Sequence, residues 1–224
     1  GPELANWSRG ALEQAFAGSY LSLAGFAILS LLLSFLLRIP EPKATASLDD
    51  VEVRPLSEIL RQPAVTLAIL SAAIGYGVMN LLMVATPLAM EVCGHSWPST
   101  TLVLEWHVIG MFAPGLITGS LISRFGVMRM LIAGVALNLI AMVVALMGTS
   151  VAHFLVSMAL IGVGWNFMYT GGTTLLTQSY RPAEKNKVQG FMDMSVFCVM
   201  VSSSASSGAL HFMNGWNVLN MIAI

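Results

Sequence analysis

Long apolar segments alternate with short polar ones along most of the chain. A helix needs roughly 20 residues to cross the ~30 Å hydrocarbon core of a bilayer, and six apolar segments are long enough. They comprise residues 17–37, 64–90, 101–122, 127–147, 151–176 and 188–212. A seventh begins near Trp216 and is still apolar at Ile224. The pattern predicts an all-α polytopic membrane protein.

The composition supports this prediction and excludes several classes of protein. Of the 224 residues, 56% are hydrophobic and 9% are charged, whereas roughly 25% of the residues in a soluble domain are charged. A soluble domain of this length cannot bury so much apolar surface. The net charge is −1 and there is no basic block, so no nucleic-acid partner is expected.

The polar residues do not form the motifs of an enzyme or a metal site. The two cysteines, Cys93 and Cys198, fit neither a disulfide framework nor a zinc site, and the four histidines have no HExxH spacing. The sequence also lacks a GxSxG motif and a phosphate-binding GxxxxGK[ST] motif. We therefore expect no metal, no cofactor, no ATP site and no enzymatic activity.

The basic residues occupy alternate loops. All ten Lys and Arg residues except Arg9 lie in the loops 38–62, 123–130 and 179–187. The three intervening loops contain none. Because short basic loops stay in the cytoplasm, these three loops are predicted to be cytoplasmic in a multi-pass protein of the cell membrane. The N-terminal segment is then on the outer side.

The loop at residues 38–62 is by far the longest connection, and it is rich in proline and acidic residues. It predicts a cytoplasmic linker between two helical bundles. Residues 1–37 are then the end of a first bundle, with one transmembrane span. Residues 63–224 form a second bundle, with five complete spans and a truncated sixth. The expected partners are the lipid bilayer and the missing N-terminal bundle of the same chain.

The loop between the third and fourth segments carries a motif of small and basic residues. It reads Gly-Ser-Leu-Ile-Ser-Arg-Phe-Gly-Val-Met-Arg from Gly119 to Arg129. This motif resembles the second-half copy of the G-x-x-x-D-R-x-G-R-x-R loop of the major facilitator superfamily of secondary transporters. Gly119, Arg124, Gly126 and Arg129 match that loop, whereas Ser and Val replace its Asp and one of its Arg residues.

Two further segments are similar to the same family, in the same order. Residues 181–190 resemble its other second-half cytoplasmic loop, and residues 55–63 resemble the entry into its seventh helix. The resemblance implies a major-facilitator-like helical bundle that runs from the end of helix five to the start of helix twelve. It also implies secondary active transport of a small-molecule substrate by alternating access, driven by an ion or proton gradient.

In that family the matched loop acts in gating, and the resemblance implies the same role for Gly119, Arg124, Gly126 and Arg129. The alternative to a transporter is a non-transporting membrane receptor or signalling protein on the same scaffold. Ligand binding without flux distinguishes the receptor from the transporter.

One face of the fifth segment is small and polar. Gly162, Asn166, Tyr169 and Thr173 follow helical spacing, and Trp165 lies beside Asn166 near the middle of the span. Because transporter substrates bind near the bilayer midplane, Trp165, Asn166 and Tyr169 are predicted to contact substrate. The alternative is that Asn166 bonds a neighbouring helix and only packs.

The second segment offers a similar face near its middle, formed by Ala73, Tyr76, Gly77 and Asn80. Tyr76 and Asn80 are predicted to line the substrate cavity. The glycine on this face lets the helix bend or a ligand approach its backbone.

The third segment carries two ionisable residues. Glu105 follows Thr101 by four positions, which places it roughly 6 Å into the predicted span. A carboxylate inside a membrane costs on the order of 3 kcal/mol, so Glu105 is a candidate protonation site that couples transport to a proton gradient. The alternative is an interfacial acid beside Trp106. His107 faces away from Glu105 and is a candidate for gating or coupling, or else a hydrogen-bonded structural histidine.

Asp193 lies within two turns of the inner end of the sixth segment. There it is predicted to pair with Arg124 or Arg129 and to latch the cytoplasmic side. Glu184, in the preceding loop, is a second candidate partner for these arginines.

Overall fold

The computed structural model describes residues 9–37 and 53–223, without the side chains of residues 9–17, 19 and 209–214. Most of the predicted linker and the first eight residues lie outside the described residues. The chain divides into two units, Gly1–Asp50 and Val51–Ile224.

The described part of the first unit is one helix, α1, at Arg9–Leu36. Its stretch Tyr20–Leu36 is apolar. The large side chains on this stretch are exposed, including Phe26 and Phe35. A helix with apolar residues on all of its described sides is typical of a helix in lipid or within a larger bundle.

The second unit consists of seven α-helices and one short 3-10 turn in its described residues. They are α2 at Leu56–Ile59, α3 at Pro63–Val92, α4 at Trp97–Phe112, α5 at Gly115–Phe125, α6 at Val127–Met147, α7 at Val151–Thr177, the turn at Pro182–Glu184 and α8 at Lys185–Ile222. Among the described residues, α3, α6, α7 and the segment Pro182–Gly208 are long and apolar enough to cross a membrane. The predicted all-α, multi-span architecture is confirmed.

The predicted third span is broken into two helices. It begins at Trp97 rather than at Thr101, and α4 and α5 meet at an angle of 41°. Pro114 lies at the break. Proline has no backbone N–H and its ring clashes with the preceding turn, which ends or kinks a helix. The span predicted near residues 101–122 therefore consists of two helices rather than one.

Helix α8 changes direction at Gly215. This residue has φ 75° and ψ 175°, which are not helical values, and a positive φ favours glycine. The pattern of apolar residues predicts the start of a new span at the next residue, Trp216. Trp216 and Leu219 are buried in the core of the second unit, so the segment beyond Gly215 packs back onto the bundle.

Helix α7 is the centre of the second unit, because it packs against α3, α4 and α6. Glycines let the helix backbones approach closely. A Cβ atom on Gly162 would lie 2.5 Å from the carbonyl oxygen of His107 in α4, and one on Gly172 would lie 2.8 Å from that of Ala68 in α3. Close packing through small residues is the main source of helix association in lipid.

Candidate substrate site

Three aromatic side chains meet at the middle of the second unit. Trp165 and Tyr169 lie one turn apart on α7 and stack, with ring centroids 5.4 Å apart and an angle of 7° between the rings. Tyr76 of α3 approaches both rings edge-on, at centroid distances of 5.4 Å and 5.8 Å. The i, i+4 spacing on α7 produces the stack, and the α3–α7 contact adds the third ring. We call Tyr76, Trp165 and Tyr169 the aromatic cluster.

The aromatic cluster has one buried side and one accessible side. Trp165 is only 6% exposed, whereas Tyr76 and Tyr169 are half-buried. The indole Nε1 of Trp165 has no hydrogen-bond partner among the described residues. Phe112, the last residue of α4, packs edge-on against Trp165 at 6.2 Å. A buried donor without an acceptor is costly, so the cluster has an unmet hydrogen bond beside a flat apolar surface.

Asn166, predicted to contact substrate, lies next to the aromatic cluster but is used in helix packing. Its Nδ2 donates to the Met111 carbonyl oxygen at 2.8 Å, and its Oδ1 accepts from the Thr118 hydroxyl at 2.6 Å. Met111 belongs to α4 and Thr118 to α5. The Asn166 amide therefore joins α7 to both sides of the break at Pro114. This arrangement agrees with the packing alternative, and substrate contact by Asn166 stays a prediction.

Asn80 has a similar position between α3 and α8. Its Nδ2 lies 2.9 Å from the Ser203 hydroxyl and 2.6 Å from the Ser204 hydroxyl. One turn further along α8, the Ser207 hydroxyl donates to the Leu81 carbonyl oxygen at 3.0 Å. These bonds make a polar contact between the two helices, and Asn80 lies outside the aromatic cluster.

Glu105 and His107 lie on opposite sides of α4, as their spacing predicts. Glu105 is exposed. Because α4 begins at Trp97, Glu105 is about 12 Å along the helix, which is deeper than the sequence pattern predicts. His107 is fully buried, and its Nδ1 lies 2.8 Å from the Met158 carbonyl oxygen. A carbonyl only accepts, so Nδ1 carries a proton, while Nε2 has no partner among the described residues.

The basic loop between α5 and α6 consists of a single glycine. Gly126 has φ 86°, which ends α5 and starts α6. Gly119, Gly126 and Arg129 line a cavity of about 790 Å³ at this end of the bundle. We call this end the basic end, because the basic loops 123–130 and 179–187 lie there. Arg124 stacks over the Phe125 ring at 5.3 Å.

The ion pair at the basic end differs from the predicted one. Arg54 forms two hydrogen bonds with Glu184, Nε to Oε1 and Nη2 to Oε2, each 2.7 Å long. The hydrogen bond with Glu184 also raises the pKa of Arg54 above its usual value. Glu184 is 0% exposed, and it also accepts the backbone N–H of Arg181 at 2.9 Å. Glu184 therefore pairs with Arg54 rather than with Arg124 or Arg129.

Asp193 is exposed on α8, and within the described ranges no ion pair joins it to Arg124 or Arg129. The predicted latch is therefore absent from this conformation. In the sequence, Arg54 is one of the basic residues that indicate orientation, and nothing in the spacing of Arg54 and Glu184 connects two residues 130 positions apart.

Replacing Arg54 with glutamine is expected to lower the thermal stability of the intact protein by several degrees. Loss of the guanidinium leaves the Glu184 carboxylate buried without its ionic partner, which is strongly destabilising. The measurement is the melting temperature of the purified protein in detergent. Arg61→Gln is the control, since Arg61 is exposed in the same segment. Equal melting temperatures for the two variants would contradict the role of this pair.

Comparison with known proteins agrees with the fold and with the resemblance in the loops. Residues 4–205 match the family model of the Major Facilitator Superfamily. The chain is thus a multi-pass membrane protein of the transporter class, and it belongs to the Major Facilitator Superfamily. No solved structure matches it significantly.

Its curated relatives are transporters by name. The riboflavin transporter RfnT of Brucella anthropi is 37% identical over 223 residues, which are 99% of this chain and 56% of that protein. Two uncharacterized MFS-type transporters of Bacillus subtilis are also similar. YdeG is 32% identical over 65% of this chain and 34% of its own length. YddS is 35% identical over 59% of this chain and 30% of its own length. The chain spans about half the length of RfnT, and these names point to a protein that is not an enzyme.

Proposed function

We propose that the intact protein is a secondary active transporter of the cell membrane, which moves a small organic molecule by alternating access, and that riboflavin is the first substrate to test. The observation that carries this proposal is the aromatic cluster of Tyr76, Trp165 and Tyr169. It lies near the middle of α3 and α7, two helices able to span a membrane. The name of the Brucella anthropi relative supports the choice of substrate.

The chemistry of the aromatic cluster suits a flat conjugated ligand. Stacking of a planar ring on an aromatic side chain contributes about 1–3 kcal/mol in comparable sites. The isoalloxazine ring of riboflavin is flat, and its two carbonyl oxygens and two of its ring nitrogens are hydrogen-bond acceptors. The Trp165 Nε1–H is a donor without an acceptor in the described part of the chain. A ligand that stacks on the accessible side of the cluster can also accept this hydrogen bond once the contacts around Trp165, which is 6% exposed in this conformation, open.

Movement of two bundles around this central site is the proposed transport mechanism. The second bundle, residues 63–224, rocks against a first bundle that ends at residue 37, and residues 38–62 connect them in the cytoplasm. The close glycine contacts of α7 support movement of the second bundle as one body. Carriers with internal repeats commonly work in this way, with the substrate site near the bilayer midplane.

Gating is proposed to occur at the basic end, which is proposed to face the cytoplasm. Gly119 and Gly126 shape the loop between α5 and α6. Arg124, Arg129 and Asp193 are all exposed. Their charges are therefore available to form contacts as the inner side closes.

An ion or proton gradient is the proposed energy source, and Glu105 is the candidate coupling residue. Replacing Glu105 with glutamine is expected to flatten the pH dependence of uptake, because glutamine does not ionise. Initial uptake rates at a series of pH values measure this effect. Glu91→Gln is the matched control, an exposed acid at the end of α3. An unchanged pH profile in the Glu105 variant would contradict its coupling role and leave the buried His107 as the next candidate.

Uptake by purified protein in proteoliposomes tests the proposed function. We expect labelled riboflavin to accumulate inside the vesicles, against its own concentration gradient, only while an ion or proton gradient is imposed. The same accumulation with and without each imposed ion or proton gradient would contradict secondary active transport. Binding of riboflavin without flux would contradict transport altogether and would be the behaviour of a receptor.

A further inference from the structure

A polar cavity and an apolar groove meet on the second unit at the first turn of α6. The cavity of about 790 Å³ lies at the basic end and is lined by the polar residues Ser123, Arg129, Thr174 and Gln178, together with apolar ones. The groove, of about 560 Å³, lies between α3 and α6 over α7, and its lining is almost entirely carbon. Met128 lines both. The cavity and the groove therefore adjoin at Met128, and we call their combined lining the cavity–groove surface, with a polar end and an apolar end.

The length of the groove along α6 is about the thickness of the hydrocarbon in one leaflet of a bilayer. Its α6 wall runs from Met128 to Leu139, which is about 16 Å of helix. The hydrocarbon core of a bilayer is about 30 Å thick, so this wall covers about half of it. Four large side chains on this wall are exposed, and Leu131 is buried. The exposed ones are Met128, Ile132, Val135 and Leu139, of which Ile132 is 64% exposed. The apolar end therefore matches the length and the apolar character of a lipid acyl chain.

The charge at the polar end is complementary to an anion. Arg129 lines the cavity and has no hydrogen bond or ion pair to any described residue. It also lies in the first turn of α6, where no side chain caps the helix. The start of a helix carries partial positive charge, so a cation there is unfavourable unless an anion lies nearby. A phosphate group in the cavity satisfies the guanidinium and the helix start together.

We propose that this surface is a binding site for an anionic phospholipid of the leaflet at the basic end. The phosphate headgroup lies in the cavity at Arg129, and an acyl chain follows the groove along Ile132 and Val135. Basic pockets between membrane helices on the cytoplasmic side are a known mode of headgroup recognition. The proposal does not rest on the substrate, since the aromatic cluster lies outside this surface.

Binding of defined lipids to the purified intact protein, measured by native mass spectrometry, tests this proposal. We expect phosphatidylglycerol to bind more tightly than phosphatidylcholine. We expect Arg129→Gln to weaken the binding of phosphatidylglycerol about tenfold. Arg124→Gln is the matched control, a basic residue of the same loop that stacks on Phe125 and does not line the cavity. Equal weakening by both variants would overturn the site, because it would indicate general attraction to anionic lipid.

A second pair of variants tests the groove without changing charge. Val135→Trp fills the groove and is expected to weaken phosphatidylglycerol binding, whereas Val143→Trp, at an exposed position of α6 outside the groove, is expected to leave it unchanged. No effect of Val135→Trp would overturn the acyl-chain part of the proposal. Competition by millimolar inorganic phosphate would also overturn it, because the cavity would then be a site for a free anion.

Discussion

Replacing Trp165 with alanine is expected to weaken riboflavin binding by about a hundredfold in the intact protein. The change removes the ring that holds Tyr169 in place by stacking on it. The ligand then loses stacking worth about 1–3 kcal/mol and a hydrogen bond worth about 1 kcal/mol, and each 1.4 kcal/mol is a factor of ten in affinity. Trp165→Phe keeps most of the ring and loses only the N–H donor, so we expect a loss of about tenfold or less. The measurement is the dissociation constant of riboflavin for each purified variant.

The control for this prediction is Trp106→Ala. Trp106 is a half-exposed tryptophan on α4 that lies outside the aromatic cluster. It accounts for general effects of losing an indole from a membrane protein. Riboflavin affinity that falls equally in the Trp165 and Trp106 variants, or falls in neither, would contradict the assignment of the site.

Enlarging Gly162 is expected to have the largest effect on the fold. A methyl group there would lie 2.5 Å from the His107 carbonyl oxygen and 2.9 Å from the Met111 nitrogen. Both atoms belong to the backbone of α4, so relief requires the two helices to separate. Overpacking of this kind costs about 1–3 kcal/mol for an added methyl group, and we expect Gly162→Leu to prevent formation of a stable protein.

Melting temperature and the monodisperse fraction after purification measure this effect. Gly162→Ala is expected to melt well below the unmodified protein. Gly190→Ala is the matched control, since a Cβ atom on Gly190 meets nothing within 4 Å. Similar melting temperatures for the two alanine variants would contradict the role given to the α4–α7 contact.

The sequence predicted the all-helical, multi-span architecture because the membrane imposes a strong constraint. Apolar segments of about 20 residues and alternating basic loops identify the spans. The break at Pro114 was missed because its apolar flanks look continuous, although proline itself was the available signal. The start of α4 at Trp97 was missed because Ser99 and Thr100 are polar and look like part of a loop, although both belong to the helix.

The aromatic cluster was predictable, whereas the hydrogen-bond partners of the two asparagines were not. Helical spacing alone places Trp165 and Tyr169 one turn apart, and a similar face in α3 suggests Tyr76. Asn80 and Asn166 occupy equivalent positions in the pattern, but their hydrogen bonds go to other helices. A periodic pattern shows which side of a helix is polar and does not show which helix will meet it.

Counterflow measures the central claim most directly. Proteoliposomes that contain the intact protein are loaded with unlabelled riboflavin and placed in a trace of labelled riboflavin without any ion gradient. A carrier that exposes one site alternately to each side exchanges the two pools, so we predict a transient accumulation of label inside. Vesicles that bind riboflavin but show no such overshoot would contradict transport by alternating access.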